Sequence, residues 1–165
     1  MIDYKRALLS RIKNAFSLQP WYGVSVMKTL NAISYQNVNK CPDTLERKSI
    51  ANLIAHMIVW KEFIIRKLDN DHDFDIALSS NKDWPETYIS DDIEWKKLLS
   101  RLENCHQNIL SRIEAKPEPE FLENVPGKNY KWMFAIDGVI QHDIYHLGQI
   151  NLVKKLLGSE RCTPI

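Results

Sequence analysis

His142-Asp-Ile-Tyr-His146-Leu-Gly-Gln149 is the stretch that decides how this chain is read. It lies inside a segment, about 131–157, whose small and aliphatic residues recur at helical spacing. The stripe runs Ala135, Val139, His142, His146, Gln149 and Val153. At ~100° per residue, His142 and His146 leave one helical face a single turn apart. The two ends of the stripe are apolar and only its middle is polar, so burying it requires partners for those polar groups. Two imidazoles in this geometry can bind one metal ion through neutral ring nitrogens.

Working outward, helical periodicity recurs in three more segments, and no useful length alternates as a strand does, so the expected class is all-α. Residues about 4–16 carry Leu9, Ile12 and Phe16 on one stripe. Pro20 interrupts, and 21–35 continues as a short or irregular helix. A second strong helix starts at the N-cap Ser49 and runs through Leu68 to the polar cluster 69–73. A third, about 91–115, presents Trp95, Leu98, Leu102, Cys105, Ile109 and Ile113, with Asp91 and Asp92 at the positive end of its dipole. Residues 74–90, with Trp84-Pro85 inside, show no sustained period. A connection of that length points to function or to hidden short helices. Pro117, Pro119, Pro126 and Gly127 mark the loop before the last helix, and Gly158 is placed to end that helix as a left-handed cap.

The third histidine, His56, sits in Ile54-Ala-His-Met-Ile-Val-Trp60. Asn52, Val59, Trp60 and Phe63 lie within ~60° of it on a helical wheel, so it points inward. A buried neutral imidazole needs a partner at each nitrogen, and a metal with a hydrogen-bond acceptor behind the ring supplies both. A centre of His56, His142 and His146 leaves coordination positions open, since zinc takes four ligands and nickel or iron up to six. A cation there stabilises a deprotonated thiol or water, which is the chemistry of hydrolysis or of group transfer to a thiol. The bland alternative has all three histidines satisfied by local hydrogen bonds.

Neighbouring positions carry two readings each. Asp143 either orients an imidazole or is solvated. Gln149 either lines a pocket or bonds a neighbouring helix, and Tyr145 either donates a proton or packs. His72 belongs to an Asp-rich loop and reads as solvated. His106 borders an apolar stripe and reads as a core hydrogen-bonding residue. Trp60, Trp84, Trp95 and Trp132 read first as anchors, with ligand stacking as the other possibility.

The 165 residues set the expectation of a single domain, 1–165, with 44% apolar and 26% charged residues. A net charge of +1 gives no electrostatic footprint for nucleic acid. No apolar run approaches the ~20 residues of a membrane span, and the early charges argue against a secretory leader. Cys41, Cys105 and Cys162, an odd number at irregular spacing, fit reduced thiols, so a cytoplasmic location is expected.

Taken together, His56 followed by Trp60, and His142-Asp143-Ile144-Tyr145-His146-Leu147-Gly148-Gln149, resemble the DinB-like superfamily, also called YfiT-like metalloenzymes. The helix order resembles that family along nearly the whole chain. The resemblance implies a four-helix bundle of up-down-down-up topology and a divalent metal on His56, His142 and His146. It also implies a homodimer in many members. Activities in the family include metal-dependent S-transfer from low-molecular-weight thiols and a thiol-dependent isomerisation. The expectation is therefore a metal-dependent thiol S-transferase or hydrolase acting on a small-molecule substrate. Zinc or nickel comes first as the metal, with manganese or iron as further options. Asp143 and Tyr145 are its proton-transfer candidates, and Gln149 and Trp60 its pocket lining. A non-catalytic stress-response or ligand-binding bundle is the alternative.

Overall fold

The computed structural model describes residues 4–42 and 48–159. Five α-helices follow one another: α1 (Tyr4–Phe16), α2 (Val26–Leu30), α3 (Ile50–Leu68), α4 (Asp92–Ala115) and α5 (Trp132–Ser159). Two short 3-10 turns, Tyr35–Asn37 and Glu118–Leu122, interrupt the connections. Among the described residues there is no strand, and the only ladder contact is a single bridge between Asn124 and Lys131. The class is all-α, as the periodicity requires. No described helix is long and apolar enough to cross a membrane.

The strongest helices begin where their caps predict. Ser49 accepts from the Asn52 backbone N–H while the Asn52 side chain accepts from the Ser49 N–H, a reciprocal box that satisfies two otherwise unpaired donors at the start of α3. Asp91 does the same for α4 by accepting from the Glu94 N–H at 2.8 Å. The other end of the molecule departs from expectation. α5 runs through Gly158 to Ser159, and positive φ occurs at no glycine other than Gly23 and Gly127 among those described. Gly158 is thus an exposed helical residue rather than a left-handed cap. Gly127 is the glycine the fold needs, because its φ of 72° brings it so close to the His72 carbonyl that a Cβ would clash.

Two stripes are displaced by one residue. On α1 the buried set is Leu8, Ile12, Ala15 and Phe16, with Leu9 half-buried. On α4 the buried residue is Leu99, and Leu98 is half-buried. In both helices the apolar face is wider than a single stripe, and which of two adjacent leucines goes inward is set by the neighbour it meets. Of the segment 21–35, only Val26–Leu30 is α-helical. The 74–90 connection contains no helix. Cys105 is buried as its stripe predicts, Cys41 is half-buried, and Cys162 lies outside the described residues.

The core forms two clusters stacked along the helices. One gathers Phe16, Leu30, Ile54, Met57, Trp95, Leu102 and Ile150. The other gathers Leu8, Ile12, Phe63, Ile109, Trp132, Ile136 and Ile140. α3 packs against both α4 and α5, and α1 closes against α4 and α5. His56 and His146 therefore face one another across the α3–α5 seam.

Candidate metal centre

Two histidines of the predicted triad, His56 and His146, arrive with their tautomers decided by a neighbour. His56 leaves α3 into the seam and is 5% exposed. Its Nδ1 lies 2.8 Å from the Asp83 carbonyl oxygen and 3.0 Å from Asp83 Oδ1, so Nδ1–H donates to that residue and Nε2 is left with its lone pair. Asp83 is itself held. Trp60 Nε1 donates to its Oδ1 at 2.8 Å, and the Ser79 N–H donates to its Oδ2 at 2.8 Å. Ser79 has a φ of 61°, a left-handed conformation uncommon outside glycine, asparagine and aspartate, and this turn aims its N–H at the carboxylate. The Trp84 ring covers His56 at 3.8 Å between centroids and 6° between planes, and Lys48 Nζ sits 3.6 Å from the Trp84 centroid.

On α5, His146 is 3% exposed. Its Nδ1–H donates to Gln149 Oε1 at 2.6 Å, and Gln149 Nε2 donates to Tyr145 Oη at 3.1 Å. That chain orients the glutamine and leaves His146 Nε2 bare. His142, half-buried, completes the set, its Nε2 lying 3.1 Å from His56 Nε2 and 3.0 Å from His146 Nε2.

Three ring nitrogens thus converge, two of them already committed to presenting lone pairs. A proton on His142 Nε2 points along one contact at a time, so the other contact sets two lone pairs against each other. A cation at the centre removes that repulsion. For ~2.0–2.1 Å bonds at a tetrahedral angle, ligand nitrogens stand roughly 3.3 Å apart, close to what is found. Burial presses all three rings toward the neutral, ligating form. It lowers His142 to about 2, helped by His146 and His56, and lowers His146 to about 4. His56 is also lowered by burial, with Asp83 opposing. Among the described residues, this is the one cluster of three or more His, Cys, Asp or Glu able to hold a metal ion. The triad fits a divalent cation by donor type, tautomer and spacing.

The flanking candidates separate. Asp143 neither orients an imidazole nor meets solvent. Its Oδ2 accepts from Lys61 Nζ at 2.7 Å, both side chains are 2% exposed, and its Oδ1 has no partner. Gln149 holds His146 rather than bonding another helix. Tyr145 is exposed and touches the His146 ring edge-on, 5.0 Å between centroids. Trp60 positions Asp83 and also borders a cleft beside His142. Trp95 and Trp132 are buried core anchors, and His72 is exposed. His106 is a correction: it is buried, yet neither ring nitrogen has a hydrogen-bond partner, and the ring lies flat on Phe16 at 3.8 Å.

Asp83 and Lys61 escaped the reading of the sequence. The signal for Asp83 was its place beside Trp84 in an overlong loop. Lys61 carried no distinct signal, since it is followed by Glu62 and shares α3 with Arg66 and Lys67. No family model, curated protein or solved structure matches the chain.

Proposed function

We propose that the protein is a divalent-metal-dependent enzyme of the DinB-like type, a four-helix bundle of up-down-down-up topology in which α2 is an appendage. His56, His142 and His146 hold the ion, and the reaction is S-transfer from a low-molecular-weight thiol to a small electrophile. The observation that supports this reading is the convergence of three Nε2 atoms, two of them on rings whose tautomers are set from behind by Asp83 and Gln149. A divalent cation so held, with coordination positions open, supplies a deprotonated thiol or water near neutral pH.

The chain's own residues favour the thiol over water. Hydrolysis at such a centre gains from a free carboxylate that orients the attacking water and from an acid that protonates the leaving group. Asp83 spends both oxygens on His56, Trp60 and Ser79, and Asp143 is tied to Lys61. Tyr145 keeps its O–H free to donate while accepting from Gln149, so it can hand a proton to a leaving group at the exposed side of the site. A thiol needs no separate base, because its ordinary pKa of ~8.5 is already within reach of a cation.

Elemental analysis of untagged protein tests the metal, with near-stoichiometric zinc, nickel, manganese or iron expected. Thiol consumption assayed with an activated alkyl or acyl electrophile, before and after chelation, tests the chemistry. A protein that chelation unfolds, and that consumes no thiol when reloaded, would instead be a bundle pinned by a structural ion.

A further inference from the structure

Beside His142, α3 and α5 part to form a cleft of about 190 Å³. Its walls are aromatic and aliphatic, with Trp60 on one side and Tyr130 and the exposed Phe134 on the other. Gly138 forms part of the wall, and a Cβ added there meets nothing within 4 Å. A glycine in mid-helix weakens the helix relative to alanine, and a side chain longer than a methyl at this position would extend into open space beside the cleft. Apolar cavities of about 150 Å³ hold a benzene molecule, so this cleft takes one ring and a small substituent.

The floor is different in kind. Asp143 lines it, with Oδ2 on Lys61 and with Oδ1 closed to solvent and without any donor, so a ligand reaches Oδ1 only by displacing what covers it. A buried carboxylate oxygen left unpaired is costly, and a ligand that brings an O–H or N–H removes that cost. His142 belongs to the same wall, so a ring in the cleft lies next to the triad.

We propose that this cleft binds the organic substrate, and that the substrate is a monocyclic aromatic compound of the phenol or aniline class whose O–H or N–H donates to Asp143. The proposal rests on the metal-enzyme reading for the word substrate, but binding to the cleft does not need turnover to be seen.

Phenol and toluene are close in shape and differ in the donor. Titrating each into the metal-loaded protein, followed by amide and indole chemical shifts, is expected to give saturable binding of phenol with a dissociation constant on the order of 0.1–1 mM. Toluene should bind at least about tenfold more weakly, with shifts centred on Trp60, Phe134 and Gly138 for both. Gly138→Leu, which crowds the cleft, should weaken phenol at least about tenfold at unchanged metal content. If Gly138→Leu fails to fold, the phenol and toluene titrations of the unaltered chain decide alone. Phenol that does not saturate, toluene that binds as tightly, or a folded Gly138→Leu chain that binds as before overturns the cleft while leaving the triad standing. Protein that retains no metal overturns the enzyme reading whatever phenol does.

Discussion

His106 and His56 are buried to nearly the same degree, at 1% and 5% exposure, each on an inward face of a long helix, and their surroundings differ completely. His56 has an acceptor behind it, an aromatic ring over it and two imidazole nitrogens before it. His106 has Phe16 against its face and no partner at either nitrogen. Burial and the Lys61 charge lower it to about 3, so it is a neutral ring with no protein partner at either nitrogen. The difference teaches that burial of a histidine is no sign of a site. What marks the site is that one nitrogen is occupied from behind and the other is left pointing at its fellows.

Replacing members of each group should show the contrast, most strongly in metal content. His142→Ala and His56→Ala should each reduce bound metal from near-stoichiometric to about a tenth or less, because a site left with two ligands loses most of its affinity. His106→Leu should leave metal content unchanged. Elemental analysis of the three variants checks this, and metal lost equally from His106→Leu would abolish the distinction.

Lys61 and Asp143 supply an intermediate case, a buried polar pair satisfied on one side only. Lys61→Met should cost about 3–5 kcal/mol in urea unfolding by stranding the carboxylate, whereas Lys61→Met with Asp143→Leu should recover most of it. If the single and double variants are equally unstable, the pair has some role in the fold besides charge compensation.

Asp83 tests whether the acceptor behind the ring matters. Asp83→Ala takes the carboxylate from His56 Nδ1, Trp60 and Ser79 but keeps the main-chain carbonyl that lies 2.8 Å from Nδ1, so metal binding should weaken by roughly tenfold at most, or about 1.4 kcal/mol. Competition against a chelator of known affinity measures it, and an unchanged affinity would mean that the main-chain carbonyl and the Trp84 stack hold the ring without the carboxylate.

The smallest effect at neutral pH belongs to His106→Leu, expected to stabilise the chain by about 1 kcal/mol by removing unsatisfied nitrogens. Its pH dependence is more telling. The folded value near 3 lies below the ordinary ~6.5, so the unfolded chain takes up a proton that the folded chain refuses. Stability is unaffected above pH ~6.5 and is lost as pH falls toward 3. The advantage of His106→Leu over the parent should therefore grow by about 2 kcal/mol between pH 7 and pH 5, measured on chelated protein. A constant difference would show that His106 charges freely in the fold.

Much of this was legible in the chain. The extents of α1, α3 and α4 followed from period and caps, since Ser49 and Asp91 satisfy the first free N–H groups by local chemistry alone. The triad followed from three histidines on inward faces. The end of α5 did not, because glycine permits a left-handed cap without requiring one. Leu8 and Leu99 were missed because adjacent apolar residues on a broad face are equivalent until a partner helix is present.

The sequence by itself determined the all-helical class, the positions of the long helices and the three metal-ligand candidates, because helical period, capping and i, i+4 spacing act over a turn or two. Only the tertiary structure decided what lies behind and beside those ligands. Asp83 reaches His56 across 27 residues, and Lys61 reaches Asp143 across 82. The cleft next to His142 exists only where α3 and α5 part. Contacts at that separation depend on how elements pack, and no local pattern of residues encodes which buried donor will meet which acceptor.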